Sequence, residues 1–157
     1  MDAIVAVYSD WGIGADGTQP VVLKADRARF VELTRGRTVI VGRRTLADFP
    51  GGRPLKNRRN IVVTRQDITI DGAETAHSAE AAIELCGGDA MVLGGASVFR
   101  EFFPSLDRVF VTRINCRPYS DCFFPNLDDD PEWTLADPGE ELHEGDISYR
   151  FMRYERK

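Results

Sequence analysis

The chain has 157 residues, 43% of them hydrophobic and 29% charged, which indicates one globular domain spanning residues 1–157. Its formal net charge of −5 argues against a dedicated nucleic-acid-binding protein, whose domain is usually basic. The three cysteines, Cys86, Cys116 and Cys122, are too few and too irregular for a disulfide framework or a zinc site and favour a reducing, cytoplasmic location, and no apolar run approaches the length of a membrane span.

Short apolar runs alternate with helical stretches along the chain, which predicts an α/β domain. Continuous apolar runs such as Ile61-Val62-Val63 favour strands that are covered on both faces, as in a parallel sheet. The final strands have no helices between them, so we expect the sheet to end in an antiparallel segment. The predicted strands are Ala3–Tyr8, Thr38–Val41, Asn60–Thr64, Ala90–Leu93, Arg108–Ile114, Trp133–Ala136 and Ser148–Tyr154. The predicted helices are Lys24–Thr34, Arg43–Asp48, Ala79–Cys86 and Ser97–Phe103, the last two each beginning near a serine that can cap it.

Charge is distributed unevenly along the chain. Residues 24–65 hold twelve Lys and Arg against three acids, a net of +9, whereas residues 128–146 hold nine acids and no Lys or Arg, a net of −9. Two solvated faces of different composition would explain this pattern. A basic surface for an anionic ligand is the alternative, and it requires the cations to lie beside phosphate-binding backbone.

A carboxylate is the candidate for proton chemistry, because His77 and His143 lie in polar surroundings that suggest neither a catalytic triad nor a metal site. Four side chains of the first predicted helix share an arc of about 80°: Leu23, Asp26, Phe30 and Leu33. Lys24, Arg29 and Glu32 are expected outside that arc. Burial among apolar neighbours raises the pKa of a carboxyl such as Asp26, which suits proton transfer or recognition of a protonated heterocycle. An acid interacting with the helix dipole in the first turn is the alternative, although it does not explain the apolar neighbours.

Two predicted strand-to-helix junctions are opened by glycine. Gly94-Gly95 follows one strand, and Gly42 precedes Arg43-Arg44-Thr45 at the other, while a third strand ends in Thr64-Arg65. Such turns let backbone N–H groups and a helix N-terminus approach a pyrophosphate, and arginine accommodates the extra 2′-phosphate of NADP. Simple turns and a charged helix start remain the alternative, since the full GxGxxG spacing is absent.

Short motifs in a fixed order along nearly the whole chain resemble those of the dihydrofolate reductase family. Three of them are strings of neighbouring residues: Val41-Gly42-Arg43-Arg44-Thr45 resembles its GRxT element, Pro54-Leu55-Lys56-Asn57-Arg58-Arg59-Asn60-Ile61 its PLxxRxN element, and Asp121-Cys122-Phe123-Phe124-Pro125 its DxxFP element. Further matching positions are Ile13-Gly14, Pro20, Leu23, Ala25-Asp26, Phe30, Leu93-Gly94-Gly95 and Thr112.

The resemblance implies a mixed central sheet of about eight strands, mostly parallel with an antiparallel C-terminal edge, flanked by about four helices. It also implies NADPH-dependent reduction of 7,8-dihydrofolate to 5,6,7,8-tetrahydrofolate. We expect a monomer that binds this small molecule and neither nucleic acid nor a membrane.

For the substrate, the resemblance implies that Asp26 hydrogen-bonds the pterin ring and favours protonation at N5 before hydride reaches C6, with Thr112 orienting the carboxylate. Arg58 would pair bidentately with the α-carboxylate of the glutamate tail, a geometry that lysine does not reproduce. The pterin and benzoyl pocket would be lined by Val5, Ala6, Phe30, Phe49, Leu55 and Leu93.

For the cofactor, the resemblance implies a cis peptide between Gly94 and Gly95. Contacts to the pyrophosphate and the neighbouring ribose would come from Gly95, Ala96, Ser97, Val98 and Phe99. The 2′-phosphate and adenine end would be held around the Gly42 and Thr45 junction by Arg43, Arg44, Thr64 and Arg65, and the nicotinamide would have Val7, Ile13 and Gly14 as neighbours.

The chain departs from the family pattern in one loop and at the start of the first helix. Val21 stands where the family has a tryptophan that closes the site, and a valine side chain donates no hydrogen bond. Gln19 stands where a large apolar residue is common, and Lys24 replaces a frequent proline.

Two other functions remain open on sequence alone. The first is an NADPH-dependent reductase of another pterin or of a ribosylated pyrimidine, although the presence of both Asp26 and Arg58 favours folate. The second is a non-catalytic module that binds NADPH or folate, motivated by the missing tryptophan.

Overall fold

The computed structural model describes residues 1–157 and contains eleven strands and four helices. The strands are β1 (Asp2–Val7), β2 (Gly12–Gly14), β3 (Thr38–Gly42), β4 (Arg59–Val63), β5 (Ala73–Ala76), β6 (Met91–Gly94), β7 (Arg108–Ile114), β8 (Cys122–Phe123), β9 (Trp133–Asp137), β10 (Leu142–Glu144) and β11 (Ile147–Arg156). The helices are α1 (Lys24–Thr34), α2 (Arg43–Ala47), α3 (Ala79–Cys86) and α4 (Ala96–Phe102), and short 3₁₀ turns occupy Pro50–Gly52 and Phe103–Ser105. None of the helices has the length and apolarity needed to cross a membrane.

One large sheet organises the molecule, with strands in the order β10-β11-β7-β1-β6-β3-β4-β5 and β9 also paired to β11. The pairs from β7 through β5 are parallel, and the pairs that β11 makes with β7, β9 and β10 are antiparallel. The expected fold, a mixed sheet of about eight strands with an antiparallel C-terminal edge and four helices, is confirmed. The antiparallel edge follows from the short connections after β7, which leave no room for crossover helices.

The two faces of the sheet carry separate apolar clusters. Neighbouring residues of β1 point to opposite faces, so Ala3, Val5 and Val7 pack with α3 and α4 in the largest cluster, whereas Ile4 packs on the α1 side. Val41 and Val62 pack with Leu46 of α2 on that second face. Helix α1 therefore lies on the same face as α2.

Most predicted elements are confirmed to within a residue or two, but the expected cap of α4 is wrong. Ser78 caps α3, since its side chain accepts a hydrogen bond from the Ala81 N–H at 3.1 Å. Ser97 does not cap α4, because the helix already begins at Ala96 and Gly95 occupies the capping position without a side chain. The short strands β2, β5, β8 and β10 were not predicted, because each has only two to four residues and too little alternation to be recognised.

Candidate functional site

The Asp26 carboxyl lies in the first turn of α1 and is bonded to the sheet beneath the helix. The Thr112 hydroxyl, from β7, donates a hydrogen bond to Asp26 Oδ1 at 2.5 Å. Thr112 is itself buried, and in the parallel pairing of β1 and β7 it lies opposite Ala6. The predicted pairing of Asp26 with a threonine from a distant strand is thus present, and it fixes the direction in which the carboxyl points.

Burial raises the pKa of the Asp26 carboxyl above its ordinary value. The hydrogen bond from Thr112 and the positive charge of Arg29 both oppose this rise by stabilising the carboxylate. A carboxyl with a raised pKa keeps its proton to higher pH than a free aspartate does. Asp26 is therefore suited to proton chemistry at higher pH than an exposed aspartate.

Arg29 lies outside the apolar arc of α1, as predicted, but it is not a surface side chain. It is half-buried, and its Cζ atom lies 4.3 Å from the centre of the Phe151 ring. The guanidinium stacks on aromatic rings of the sheet, so a long cationic side chain extends the buried face of α1 beyond the apolar arc.

Apolar side chains cover the face of the sheet on which α1 and Asp26 lie. Phe30 and Leu93 pack against the cluster that contains Ile4, and Leu93 and Phe49 pack against the cluster around Leu46. The structure places the Val5 side chain on the opposite face, because neighbours along a strand alternate. Ile4, which sequence analysis did not select, takes the position facing α1, next to half-buried Ala6.

Arg58 lies at the other end of α1 and is held there by three hydrogen bonds. Its guanidinium donates to Thr34 Oγ1 at 3.1 Å, to the Val31 carbonyl at 3.2 Å and to the Lys56 carbonyl at 2.6 Å. A guanidinium has five N–H donors, so two remain for a ligand. The buried Thr34 was missed by sequence analysis, because a threonine in a helix gives no pattern that reveals a partner 24 residues away.

Asn60 fixes the loop that carries Leu55 and Arg58. Its amide nitrogen donates to the carbonyls of Leu55 and Arg58 at 2.8 and 3.1 Å, and its amide oxygen accepts from the Leu55 N–H at 3.0 Å. Asn60 is buried, so these bonds satisfy polar groups that water does not reach. The half-buried Leu55 is consequently held beside Arg58.

The two glycine junctions meet, because β3 and β6 are neighbours and Val41 pairs with Gly94. The Gly94-Gly95 peptide is cis, as the resemblance implied. A Cβ atom added to Gly42 would lie 2.9 Å from Val98 Cγ2, and one added to Gly95 would lie 3.0 Å from Thr45 Oγ1. A side chain at either position would press on these neighbours, so glycine lets the two junctions pack this closely.

Exposed cations surround these junctions. Arg43, Arg44 and Arg65 are exposed and take part in no hydrogen bond or ion pair, and Thr64 is buried at the end of β4 with its hydroxyl accepting from the Gln66 N–H at 3.1 Å. The first N–H groups of α4, at Ala96 and exposed Ser97, have no partner within the helix. This combination of glycine turns, helix N–H groups without a partner in the helix and exposed arginines suits a dinucleotide that carries an extra phosphate, as NADPH does.

The side chains of Val98 and Phe99 belong to the core rather than to the open surface of this region. Both are buried, and the Phe99 ring packs edge-on against Phe124 with ring centres 5.1 Å apart. The Phe99 N–H donates to the Gly95 carbonyl at 2.9 Å. These two residues therefore support the glycine turn from beneath.

The loop between β1 and α1 is held by its neighbours. Gly14 accepts a hydrogen bond from the Asp121 N–H at 3.0 Å, and Asp121 in turn accepts from the Asp16 N–H at 3.0 Å. The Val21 N–H donates to the hydroxyl of the fully buried Tyr8 at 3.2 Å. Backbone bonds thus secure the loop at the position where the family has a tryptophan.

Ile13 is half-buried against the main cluster, which also contains the Val7 side chain.

The two other departures from the family pattern each make a specific hydrogen bond. Gln19 Nε2 donates to the Ala6 carbonyl at 2.9 Å, which ties the loop to β1. The N–H groups of Lys24 and Ala25 donate to the two carboxylate oxygens of Glu144 at 3.0 and 3.2 Å, so a side chain of β10 caps α1. Proline at position 24 would lack the first of these donors.

Comparisons with known proteins agree with this geometry. The sequence model of the dihydrofolate reductase family matches residues 1–156 of this chain. The chain is 35% identical to dihydrofolate reductase of Bacillus subtilis (strain 168), with 98% of this chain and 93% of that protein covered, and 37% identical to the Neisseria meningitidis serogroup A enzyme, with 98% and 96% covered. Dihydrofolate reductase from Enterococcus faecalis, solved in complex with NADP(H) and RAB-propyl, superimposes with a TM-score of 0.85 at 31% identity over 99% of this chain and 95% of that one.

Proposed function

The chain belongs to the dihydrofolate reductase family. We propose that the residues described above carry out the steps of the family's reaction. The chain is an NADPH-dependent oxidoreductase that reduces 7,8-dihydrofolate to 5,6,7,8-tetrahydrofolate. We further propose that residues 1–157 form one domain and that it works as a monomer in the cytoplasm.

One observation favours folate over other pterins and ribosylated pyrimidines: a half-buried carboxyl and a fixed guanidinium lie at opposite ends of α1. Asp26 and Thr34, which binds Arg58, are eight residues apart, so the two groups are separated by about 12 Å along the helix axis. A substrate with a polar ring at one end and a carboxylate at the other matches this spacing. A substrate without the anionic tail would leave Arg58 unused.

At the ring end, Asp26 holds and orients the heterocycle. Its carboxyl binds the N–H groups of the pterin, and the bond from Thr112 leaves the second carboxyl oxygen, Oδ2, free to do so. Because burial raises the pKa of Asp26, the carboxyl keeps its proton to higher pH than an exposed aspartate does and favours protonation of the substrate at N5. When bound, NADPH supplies the hydride that reduces C6.

The other residues bind and shield the reactants. Phe30, Phe49, Leu55 and Leu93 exclude water around the ring and the benzoyl group, and Arg58 pairs with the α-carboxylate through its two remaining N–H groups. At the cofactor end, Gly42, Gly94 and Gly95 leave room for the pyrophosphate. The extra phosphate is bound there by Arg43, Arg44, Thr64 and Arg65.

The decisive experiment follows NADPH oxidation by purified protein with dihydrofolate, with a ribosylated pyrimidine and with a pterin that lacks the glutamate tail. We expect turnover with dihydrofolate and at least about tenfold lower kcat/KM without the tail, because the charge-assisted pair to Arg58 is lost. Absence of dihydrofolate turnover between about pH 5 and pH 8, with NADPH and folate still bound, would identify a non-catalytic binding module instead.

A further inference from the structure

Arg29 is a half-buried cation that the proposed reaction does not use. Its guanidinium lies over two aromatic rings, with Cζ 4.3 Å from the centre of the Phe151 ring and 5.9 Å from that of Phe110. Phe151 is on β11 and Phe110 is on β7, so the cation spans the first antiparallel pair of the sheet. Contact with two rings restricts the side chain to one region of the α1 face.

The strand register brings this cation to the reacting carboxyl. Phe151 pairs directly with Thr112, so the two side chains lie on one face, and Thr112 is the donor to Asp26. Phe110 lies two residues before Thr112 on β7 and shares that face. On α1, Arg29 follows Asp26 by three residues, a spacing that makes the two side chains neighbours. Helix and sheet thus independently place Arg29 beside Asp26.

The electrostatic effect acts in both directions. The charge of Arg29 lowers the pKa of Asp26 against the larger effect of burial, and burial lowers the pKa of Arg29 while the charge of Asp26 raises it. Asp137 of β9 and Glu32 of α1 also raise the pKa of Arg29. Arginine stays protonated throughout the working range, so the charge is constant.

Other charged groups near this face have closer partners of their own. Arg108 of β7 also lies over the Phe110 ring, 5.1 Å from its centre, but it is paired with Asp2 at 3.0 Å. Arg153 of β11, opposite Phe110, is paired with Glu155 at 3.3 Å. Glu144 of β10 is bound to N–H groups at the start of α1. Arg29 differs from these groups because it lies over aromatic rings and makes no ion pair with a carboxylate within 4 Å.

We propose that Arg29 is a positioning residue for this reaction: stacked on Phe151 and Phe110, it sets the pH range over which Asp26 keeps its proton. Without the cation, its charge no longer opposes the rise that burial causes in the pKa of Asp26. Asp26 therefore holds its proton to higher pH. The step from proton retention to turnover rests on the proposed function, whereas the effect on Asp26 itself does not.

The test compares Arg29→Met, Arg29→Lys and Arg35→Met with the unchanged protein. Methionine keeps an unbranched apolar stem of similar reach, and lysine restores the charge without the planar stacking group. Arg35 is the matched control, because it is an exposed cation at the end of the same helix, nine residues or about 13 Å from Asp26 and beyond the screening length. Two quantities are measured: the titration of the Asp26 carboxyl carbon by NMR in the free protein, and kcat against pH with dihydrofolate and NADPH.

In Arg29→Met we expect the Asp26 midpoint and the alkaline limb of kcat to move up together by about 0.5–1 pH unit, because the cation is only half-buried. Lysine should restore at least half of the shift, and Arg35→Met should leave both curves in place. An unmoved midpoint in Arg29→Met, or an equal shift in Arg35→Met, would overturn the proposal. If Arg29→Met does not fold, Arg29→Gln removes the same charge and is judged by the same midpoint. A shifted midpoint without any turnover in the unchanged protein would support the role of Arg29 and refute the proposed function.

Discussion

The proposed substrate half and the proposed cofactor half of the site are built in opposite ways. Asp26 and Arg58 are held by hydrogen bonds to the protein, from Thr112 in one case and to Thr34, Val31 and Lys56 in the other. Arg43, Arg44 and Arg65 are exposed cations without such partners. Groups that must act on particular atoms are fixed before the ligand arrives, whereas groups that only neutralise phosphate gain their order from it. Substitutions in the two halves should therefore differ in size and kind.

The largest effect should come from Asp26→Asn. The amide neither holds a transferable proton nor carries charge, so we expect kcat at neutral pH to fall about 100-fold or more. Near pH 5 the loss should be much smaller, because the pterin is then protonated from solvent. The measurement is kcat against pH for both proteins. An equal loss at every pH would remove Asp26 from proton supply and leave it a purely binding role.

The next effect in size should come from Arg58→Leu, which removes the fixed fork for the glutamate tail. We expect KM for dihydrofolate to rise about 10–100-fold, the value of a charge-assisted pair, with the Kd of NADPH unchanged. Arg59→Leu is the matched control, because its neighbouring guanidinium is exposed and bound to Glu74 at 2.9 Å. A rise confined to the NADPH Kd would show that Arg58 has been assigned to the wrong half of the site.

The smallest effect should come from the double variant Arg43→Gln with Arg44→Gln. Two exposed charges are each worth up to about 1 kcal/mol, so the Kd of NADPH should rise about tenfold and its dependence on salt should weaken. Preference for NADPH over NADH should narrow, with dihydrofolate binding unaffected. Arg35→Gln with Lys157→Gln removes the same charge elsewhere on the exposed surface. If the control variant raises the Kd of NADPH as much, the effect comes from net charge alone, and the contrast between the two halves would be lost.

The sequence predicted some parts of the site better than others. The glycine junctions and the Asp26–Thr112 pair were found, since each either interrupts a local pattern or belongs to an ordered motif. The burial of Arg29 was not predicted, because helical periodicity treats an arginine outside the apolar arc as a solvent residue, whereas this guanidinium packs on Phe151. Thr34 and Ile4 were missed, because their roles depend on which strand or loop lies opposite, and that is set by the tertiary fold.

The charge segments gave a similar lesson. Nine net positive charges between residues 24 and 65 suggested an anion site, and Arg43, Arg44 and Arg65 in that segment are exposed and form no ion pair. Arg59 belongs to the same segment but is bound to Glu74, and Arg37 is paired with Asp2 at 3.2 Å. A count of charges does not separate cations that stabilise the fold from cations that await a ligand.

Glu144 caps α1, and this contact links the evolution of two positions that lie 120 residues apart in the sequence. A proline at 24 removes the N–H that one carboxylate oxygen accepts, and loss of the acid leaves two N–H groups at the start of the helix that carries Asp26 unpaired. In a sequence with proline at 24, an acid at 144 would cap only one N–H group at the start of α1 instead of two. We therefore expect positions 24 and 144 to covary among related sequences. Sequences with an acid at 144 should have lysine or another non-proline residue at 24.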